Sequence, residues 1–329
     1  MDFQEKIQEL RAEIKRQLEP LINNKCILTD LPYHSNIGDT LIWEGEMTFL
    51  EEISQIPEET TSVETFQFPP LNKETIILLN GGGNFGDLWR ISQDFRLKIV
   101  QKYPNNKIII FPQSVFYEDK SLVSKDAEIM NKHQNLFICA RDNQSYNFLK
   151  KNFTNKILLV PDMAFYINPS KLKREQKNMS DRFLYLKRLD KESSNEAPIN
   201  IGTNFEVRDW PTIEKRPLLF FILYKILGLA SRLDSHCLFY KKLCQTADYL
   251  ELHHIKAKLI NEGSTFVSRY PKIVTTRLHT LILACLLNIP VEYIESNSKK
   301  ISTFADTWLG DCKNVRKYSP NNQTNTTTV

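Results

Sequence analysis

No stretch of the 329-residue chain reaches the roughly 18 uninterrupted apolar residues that a membrane-crossing helix needs. The N-terminal MDFQEKIQELRAEIKRQLEPLI has no apolar core of the kind a secretory leader carries. The six cysteines, at 26, 139, 237, 244, 285 and 312, form no Cys-x-x-Cys pair and no Cys/His cluster at zinc spacing. Buried free thiols in a reducing compartment are therefore expected, with no metal site and no disulfide framework. The excess of positive charge is small, +4 at neutral pH with a pI near 8.6, and argues for no nucleic-acid partner. Neither GxGxxG nor a phosphate loop ending in Lys-Ser/Thr is present, and no internal repeat is visible. These absences leave a cytoplasmic globular protein as the expectation.

What is present is an alternation of strands, polar or glycine-rich loops and helices. Phe3, Ile7, Leu10, Ile14 and Leu18 trace one face of a first helix. Strands are then expected at 25–29, 63–68, 74–80, 107–111, 135–140 and 156–160. Helices are expected from 40 to about 53, from 88 to about 103, and over 144–152. Continuous apolar runs such as ETIILLN (74–80) and KIIIF (107–111) read as strands of a parallel sheet covered on both faces. After a charged stretch with one strand candidate at 183–186, a second α/β unit follows. It holds helices between 217 and 261, a strand at 272–276, a helix stopped by Pro290, a strand at 291–295 and a helix at 301–309. The expected architecture is α/β, with two Rossmann-like domains over 1–170 and 171–318 and a disordered polar tail over 319–329.

The candidate site residues sit at the carboxyl ends of the expected strands, the edge where open α/β sheets bind ligands. In KIVTTRLHTLILACLLNIP (272–290), a β-branched run hands over to helical periodicity at Arg277, Leu278 and His279. A helix N-terminus there offers free N–H groups to an anion, Arg277 adds a planar fork, and His279 can move a proton near neutral pH. The plain alternative is a surface ion pair and an ordinary first-turn polar residue. Gly81, Gly82, Gly83, Asn84, Gly86 and Asp87 form a glycine-rich turn suited to cradling a phosphate or carboxylate. His34, Asn36, Gly38 and Asp39 form a second polar loop after the first strand. Gln113, Ser114, Arg141 and Asp142 mark further strand ends, and Asp142 and Asp162 also suit helix caps.

These pieces, in this order, resemble the polysaccharide pyruvyl transferase family. The resemblance rests on SNIGDTLIWEGE (35–46), LLNGGGNFGDLW (78–89), FPQSV (111–115), ARDNQSYNFL (140–149), VPDMAF (160–165), TTRLHTLILACLLNIP (275–290) and KISTFADTWL (300–309). It implies a two-domain, glycosyltransferase-B-like fold with the active site in the interdomain cleft. It implies phosphoenolpyruvate as donor substrate, no cofactor, and transfer of pyruvate to a sugar as a ketal. Arg277, Leu278 and His279 match the family's donor-binding Arg-Leu-His segment, Arg141 its other donor-binding arginine, and Lys300 a basic residue before the last helix. The family most often has glycine after that histidine, where this chain has Thr280. Residues 170–260 are the least similar part.

On this reading His279 is the general acid, and Asp39 or Asp87 takes a hydroxyl proton or holds the sugar. The expected acceptor is a surface-polysaccharide precursor, carried on a polyprenyl diphosphate in one version of the reading. The apolar run PLLFFILYKILGLASRL (217–233), with basic flanks inside 215–242, then suggests peripheral contact with the inner face of the plasma membrane. The plain alternative for that run is a core helix. Two rival readings are a nucleotide-sugar glycosyltransferase of the same architecture and a non-catalytic sugar- or anion-binding scaffold.

Overall fold

The computed structural model describes residues 1–188, 204–295 and 300–319. It has two sheets in which every strand pair runs parallel. The first half runs α1 (Phe3–Leu18), β1 (Cys26–Leu31), α2 (Ile37–Glu52), β2 (Thr60–Ser62), β3 (Ile76–Leu79) and β4 (Gly82–Gly86). It continues through α3 (Arg90–Lys102), β5 (Ile108–Phe116), α4 (Lys120–Met130), β6 (Leu136–Ala140), α5 (Asn143–Asn152) and β7 (Lys156–Leu159). The second half runs β8 (Phe183–Leu186), β9 (Phe205–Arg208), α6 (Pro211–Glu214), α7 (Leu218–Ala230) and α8 (Leu238–Leu250). One π-helical turn, Glu251–Ile255, joins α8 to α9 (Lys256–Val267), and β10 (Ile273–Thr275), α10 (Leu278–Leu286), β11 (Val291–Tyr293), α11 (Lys300–Trp308) and β12 (Val315–Lys317) complete it. The expected tail lies, from residue 320, outside the described residues.

The first sheet has the order β2-β1-β3-β5-β6-β7, with β4 paired to the far end of β5. The second has the order β12-β11-β10-β8-β9. Alternation along the strands explains their continuous apolar character. In β3, Ile76 and Leu78 enter one core while Ile77 and Leu79 enter another on the opposite face. The same division separates Ile109 and Phe111 of β5 from Ile108 and Ile110. Two covered faces leave few positions for a polar side chain.

One of these cores spans both sheets. It joins Phe3, Leu10, Ile14 and Leu18 of α1, Trp43 and Phe49 of α2, and Leu281 and Leu283 of α10. It also holds inward residues of β1, β3 and β5 together with Leu184, Leu186 and Ile273 of the second sheet. Buried Glu44 reinforces this packing by pairing with Lys171 at 2.6 Å and Lys256 at 2.9 Å.

Three expectations need correction. Residues 63–68 are no strand: β2 ends at Ser62, and the chain turns there. The Ser62 N–H donates to Thr65 Oγ1, the Glu64 N–H to Ser62 Oγ and the Phe66 N–H to the Ser62 carbonyl. The aromatics behind the strand-like pattern, Phe66 and Phe68, instead pack on Phe95. The glycine stretch is no turn but a strand, β4, with Gly82 and Gly86 at φ values of 141° and 122° at its two ends. Gln113 and Ser114 do not end a strand, because β5 runs on to Phe116 to pair with β4. Helix α4 and strands β9 and β12 had no expectation in the sequence.

Candidate active site

Strand order reverses in each sheet, between β1 and β3 in the first and between β8 and β10 in the second. Residues that follow all four strands line a common cavity of about 380 Å³: His34 and Asn36 after β1, Gly83 and Asn84 of β4 after β3, Arg188 after β8, and Thr276 and Arg277 after β10. A crevice of that size at a switch point is where open α/β sheets hold small molecules. Asp39, Trp89, Arg141, Trp210, Leu278, His279 and Lys300 complete most of the wall.

Arg277 is the N-cap of α10. Its backbone turns there because its N–H donates to Thr275 Oγ1 at 2.9 Å. The buried guanidinium sets Nε and Nη2 on the two carboxylate oxygens of fully buried Asp209, at 2.6 and 2.7 Å. Such a bidentate pair fixes both the plane and the position of the fork.

His279 stands two residues into the cavity wall. Its Nε2 lies 3.4 Å from Asp162 Oδ2 and 3.4 Å from Arg141 Nη1. The same Arg141 nitrogen donates to Asp162 Oδ2 at 2.7 Å. Nε2 therefore faces an acceptor when it carries a proton and a donor when it does not. Either form of the ring keeps a partner, which suits a group that gives a proton away and takes one back.

Burial alone would raise the carboxyl pKa of Asp162. The hydrogen bond and charge of His279, the Arg141 charge and the Ala164 N–H outweigh burial and hold it below the ordinary carboxylate range. Arg141 is braced from behind: Nε donates to Ser114 Oγ at 2.9 Å, and that hydroxyl donates to Asp142 Oδ2 at 2.7 Å. Asp142 in turn caps α5 by accepting from the Ser145 N–H.

Two glycines let backbone approach these groups. A methyl group at Gly38 would lie 2.5 Å from His279 Nδ1, and one at Gly83 would lie 3.0 Å from Arg141 Nη2 and 3.4 Å from Lys300 Nζ. Lys300 Nζ donates to the Gly83 carbonyl at 3.3 Å. Asn84 is held from below by buried Arg96, which donates to its side-chain oxygen at 2.6 Å and pairs with Asp30. Asp39 accepts from Asn36 Nδ2 at 2.7 Å and lies 3.6 Å from His34 Nε2.

The candidates drawn from the sequence thus divide by position. His34, Asn36, Asp39, Gly83, Asn84, Arg141, Arg277, Leu278, His279 and Lys300 line the cavity. Gly81 lines an adjoining cavity of about 230 Å³ that shares His34, Asp39, Asn84 and Ser92 with the first. Ser114 and Gly38 support cavity residues without lining it. Asp87 lies elsewhere: its carboxylate accepts the N–H groups of Glu118 and Asp119 at 2.9 and 2.7 Å and ties β4 to the start of α4. Gly82 and Gly86 serve the course of β4, and buried Gln113 donates to the Asn80 carbonyl. Thr280 is fully buried and does not line the cavity.

Sequence reasoning missed Asp162 as anything beyond a cap, and it missed Asp209, Arg188, Trp89 and Trp210 altogether. The one available signal for Asp209 was a lone carboxylate just after the FEVR run (205–208). Its meaning depends on Arg277, 68 residues away.

The walls are strongly cationic. Among the described residues, Arg141, Arg188, Arg277 and Lys300 line the cavity against the single carboxylate of Asp39. Asp162 and Asp209 sit behind the arginines as their counter-ions. The arrangement can hold an anion bearing more than one charged group and present an imidazole to it.

The family described as polysaccharide pyruvyl transferase matches residues 36–298. The Bacillus subtilis protein named "Putative pyruvyl transferase EpsO" is 31% identical over 318 residues, covering 92% of each chain. Pyruvyl transferase 1 of Schizosaccharomyces pombe is 28% identical over 300 residues, covering 88% of this chain and 70% of its own. A crystal structure of a functionally uncharacterised protein from Klebsiella pneumoniae shares the fold, with a TM-score of 0.57 over 94% of this chain and 98% of that one, at 18% identity.

Proposed function

Because the chain belongs to the polysaccharide pyruvyl transferase family, we propose that it moves pyruvate from phosphoenolpyruvate onto two hydroxyls of one sugar as a ketal. The acceptor in this reading is a lipid-linked surface-polysaccharide precursor. The reaction runs in a cleft between two domains arranged as in glycosyltransferase-B enzymes. The observation that carries the reading is the cavity wall: among the described residues, four cations and two histidines, His34 and His279, face a space with one lining carboxylate. Phosphoenolpyruvate bears a phosphate and a carboxylate on adjacent groups, and arginine forks and lysine bind both well.

The chemistry follows from that placement. His279 as imidazolium gives a proton to the donor's methylene carbon, turning it into a methyl group. A sugar hydroxyl forms a C–O bond to the neighbouring carbon, and its proton passes to Asp39 or to solvent. The C–O bond to phosphate then breaks, and the phosphate leaves with its electron pair. The resulting oxocarbenium ion is captured by a second hydroxyl of the same sugar, whose proton balances the departing phosphate. No electrons change hands and no further co-reactant is consumed. Arg141, Arg188, Arg277 and Lys300 hold the anion and stabilise the charge gathering on the leaving phosphate. Asp162 retains Arg141 and keeps the imidazole turned inward.

Calorimetric titration of phosphoenolpyruvate into the wild type and Arg277→Lys, with uridine diphosphate as control, tests the reading. Lysine preserves a counter-charge for Asp209 but loses the fork. Phosphoenolpyruvate is expected to bind the wild type and to bind Arg277→Lys at least about tenfold more weakly, the cost of one bidentate charge-assisted pair. Binding of the nucleotide with no heat from phosphoenolpyruvate would sink the proposal.

A further inference from the structure

Helix α7 is apolar nearly all round, a pattern that belongs in a core or against lipid. Phe220, Leu223 and Ala230 satisfy the first by packing inward. The opposite stripe, Leu218, Phe221, Ile222 and Leu229 at helical spacing, stands in the open at 73, 51, 45 and 44% exposure. The start of α8 adds Leu238 and Phe239 at 68 and 53%. Isolated exposed apolar residues need no explanation; six on one hairpin do.

Charge accompanies them. Residues 215–242 carry six Lys or Arg and one Asp, a net +5 (His neutral), whereas the whole chain is +4. The remainder is therefore net −1, and this one hairpin holds the protein's entire positive excess. All six, Lys215, Arg216, Lys225, Arg232, Lys241 and Lys242, are exposed. At 13 residues α7 is about 20 Å long, too short for the roughly 30 Å hydrocarbon core. No helix among the described residues is long and apolar enough to cross a membrane.

The hairpin also reaches the site. Tyr224, beneath the Arg216 guanidinium, lines the smaller cavity together with Ile91 and Ser92. That cavity shares four residues with the candidate active site. We infer that the α7–α8 hairpin is a docking surface for an anionic lipid bilayer, its apolar ridge seated at the headgroup boundary and its Lys and Arg on the lipid charges. The inference deepens the proposed function and rests on it only for the acceptor: a bilayer-carried sugar would enter past Tyr224.

Sedimentation of the full chain with phosphatidylglycerol-containing vesicles, against pure phosphatidylcholine vesicles, tests this. The wild type is expected to pellet with the anionic vesicles alone, and less so at high salt. Lys225→Gln/Arg232→Gln/Lys241→Gln is expected to weaken binding by about a hundredfold, near fivefold for each charge at the surface. Leu218→Ser/Phe221→Ser/Ile222→Ser is expected to remove the part of the binding that resists salt. Both variants change exposed positions, and both should keep the wild-type heat of phosphoenolpyruvate binding.

A wild type that stays in the supernatant overturns the inference. So does equal pelleting by all three proteins. So does a concentration-dependent dimer, abolished by the apolar variant, which would make the ridge an interface between copies. A chain that binds anionic vesicles but no phosphoenolpyruvate refutes the donor assignment and leaves the docking surface standing.

Discussion

Replacing Gly38 with alanine tests whether the observed pose of His279 is the working one. The added methyl would stand 2.5 Å from Nδ1 and 2.9 Å from both Cβ and Cγ of His279. Ordinary contact between such atoms is about 3.5–4.0 Å, so the ring must retreat by roughly 1 Å. Its Nε2 is 3.4 Å from both Asp162 and Arg141, and a shift of that size breaks the geometry with one or both. A misplacement of about 1 Å in a reacting group costs about a hundredfold in rate.

Stability should move little. Overpacking costs about 1–3 kcal/mol, and up to about 1 kcal/mol returns from placing alanine for glycine in a helix. The melting temperature should thus fall by no more than a few degrees. The assay is phosphate release from phosphoenolpyruvate with a lipid-linked oligosaccharide fraction, run beside calorimetric donor binding and a thermal melt. Donor affinity within about threefold of wild type with turnover down about a hundredfold is the expected signature of a displaced acid rather than a lost site. Gly310→Ala, where an added methyl meets no atom of another part of the chain within 4 Å, is the control and should leave turnover unchanged. Turnover of Gly38→Ala within twofold of wild type would refute the reasoning.

Two further predictions concern pH. The Asp162 carboxyl is held low in the folded state, so its contribution is present above the ordinary carboxylate pKa, about 4, and is lost as pH falls through the folded value. Asp162→Asn strands Arg141 and should cost about 3–5 kcal/mol near neutrality. In denaturant titrations its deficit against wild type should shrink below about pH 4, and a deficit constant to the most acidic pH would contradict the pairing. Burial and the charge of Glu64 push the Glu251 carboxyl the other way, up to about 8. The unfolded chain releases that proton near pH 4.3, so the wild type should lose stability as pH climbs from there toward 8. Glu251→Gln lacks that slope and should gain in melting temperature relative to wild type on the alkaline side; parallel curves would show that Glu251 is ionised in the fold.

Much of the α/β order was legible because doubly covered strands allow few polar residues, so ETIILLN and KIIIF announce themselves. The handover from β10 to α10 was legible for the same reason, with a β-branched run meeting helical spacing at Arg277. Asp87 illustrates the limit. A carboxylate after glycines looks alike whether it meets a ligand or ties a turn, and only the extension of β4 along β5 decides the matter. The Phe66 and Phe68 pattern misled because core aromatics imitate strand alternation. Asp162 and Asp209 stayed hidden because their roles come from partners brought over by folding: Arg141 and His279 for one, Arg277 for the other. Arg188 and Trp210 lay beside the charged, weakly patterned segment where no periodicity points to anything.

The core that runs through both sheets has a mechanical consequence. Trp43 and Phe49 of the first half share one interior with Leu281 and Leu283 of the second, Gly263 lets α9 press against Ile37, and Glu44 clasps Lys171 and Lys256. Opening the molecule like a shell would bare that shared interior to water and strip a buried carboxylate of its counter-ions, so the walls of the cavity behave as a fixed mould. The work of bringing Arg141 and Arg277 to face one space is done when the chain folds, once, and need not be repeated at each turnover.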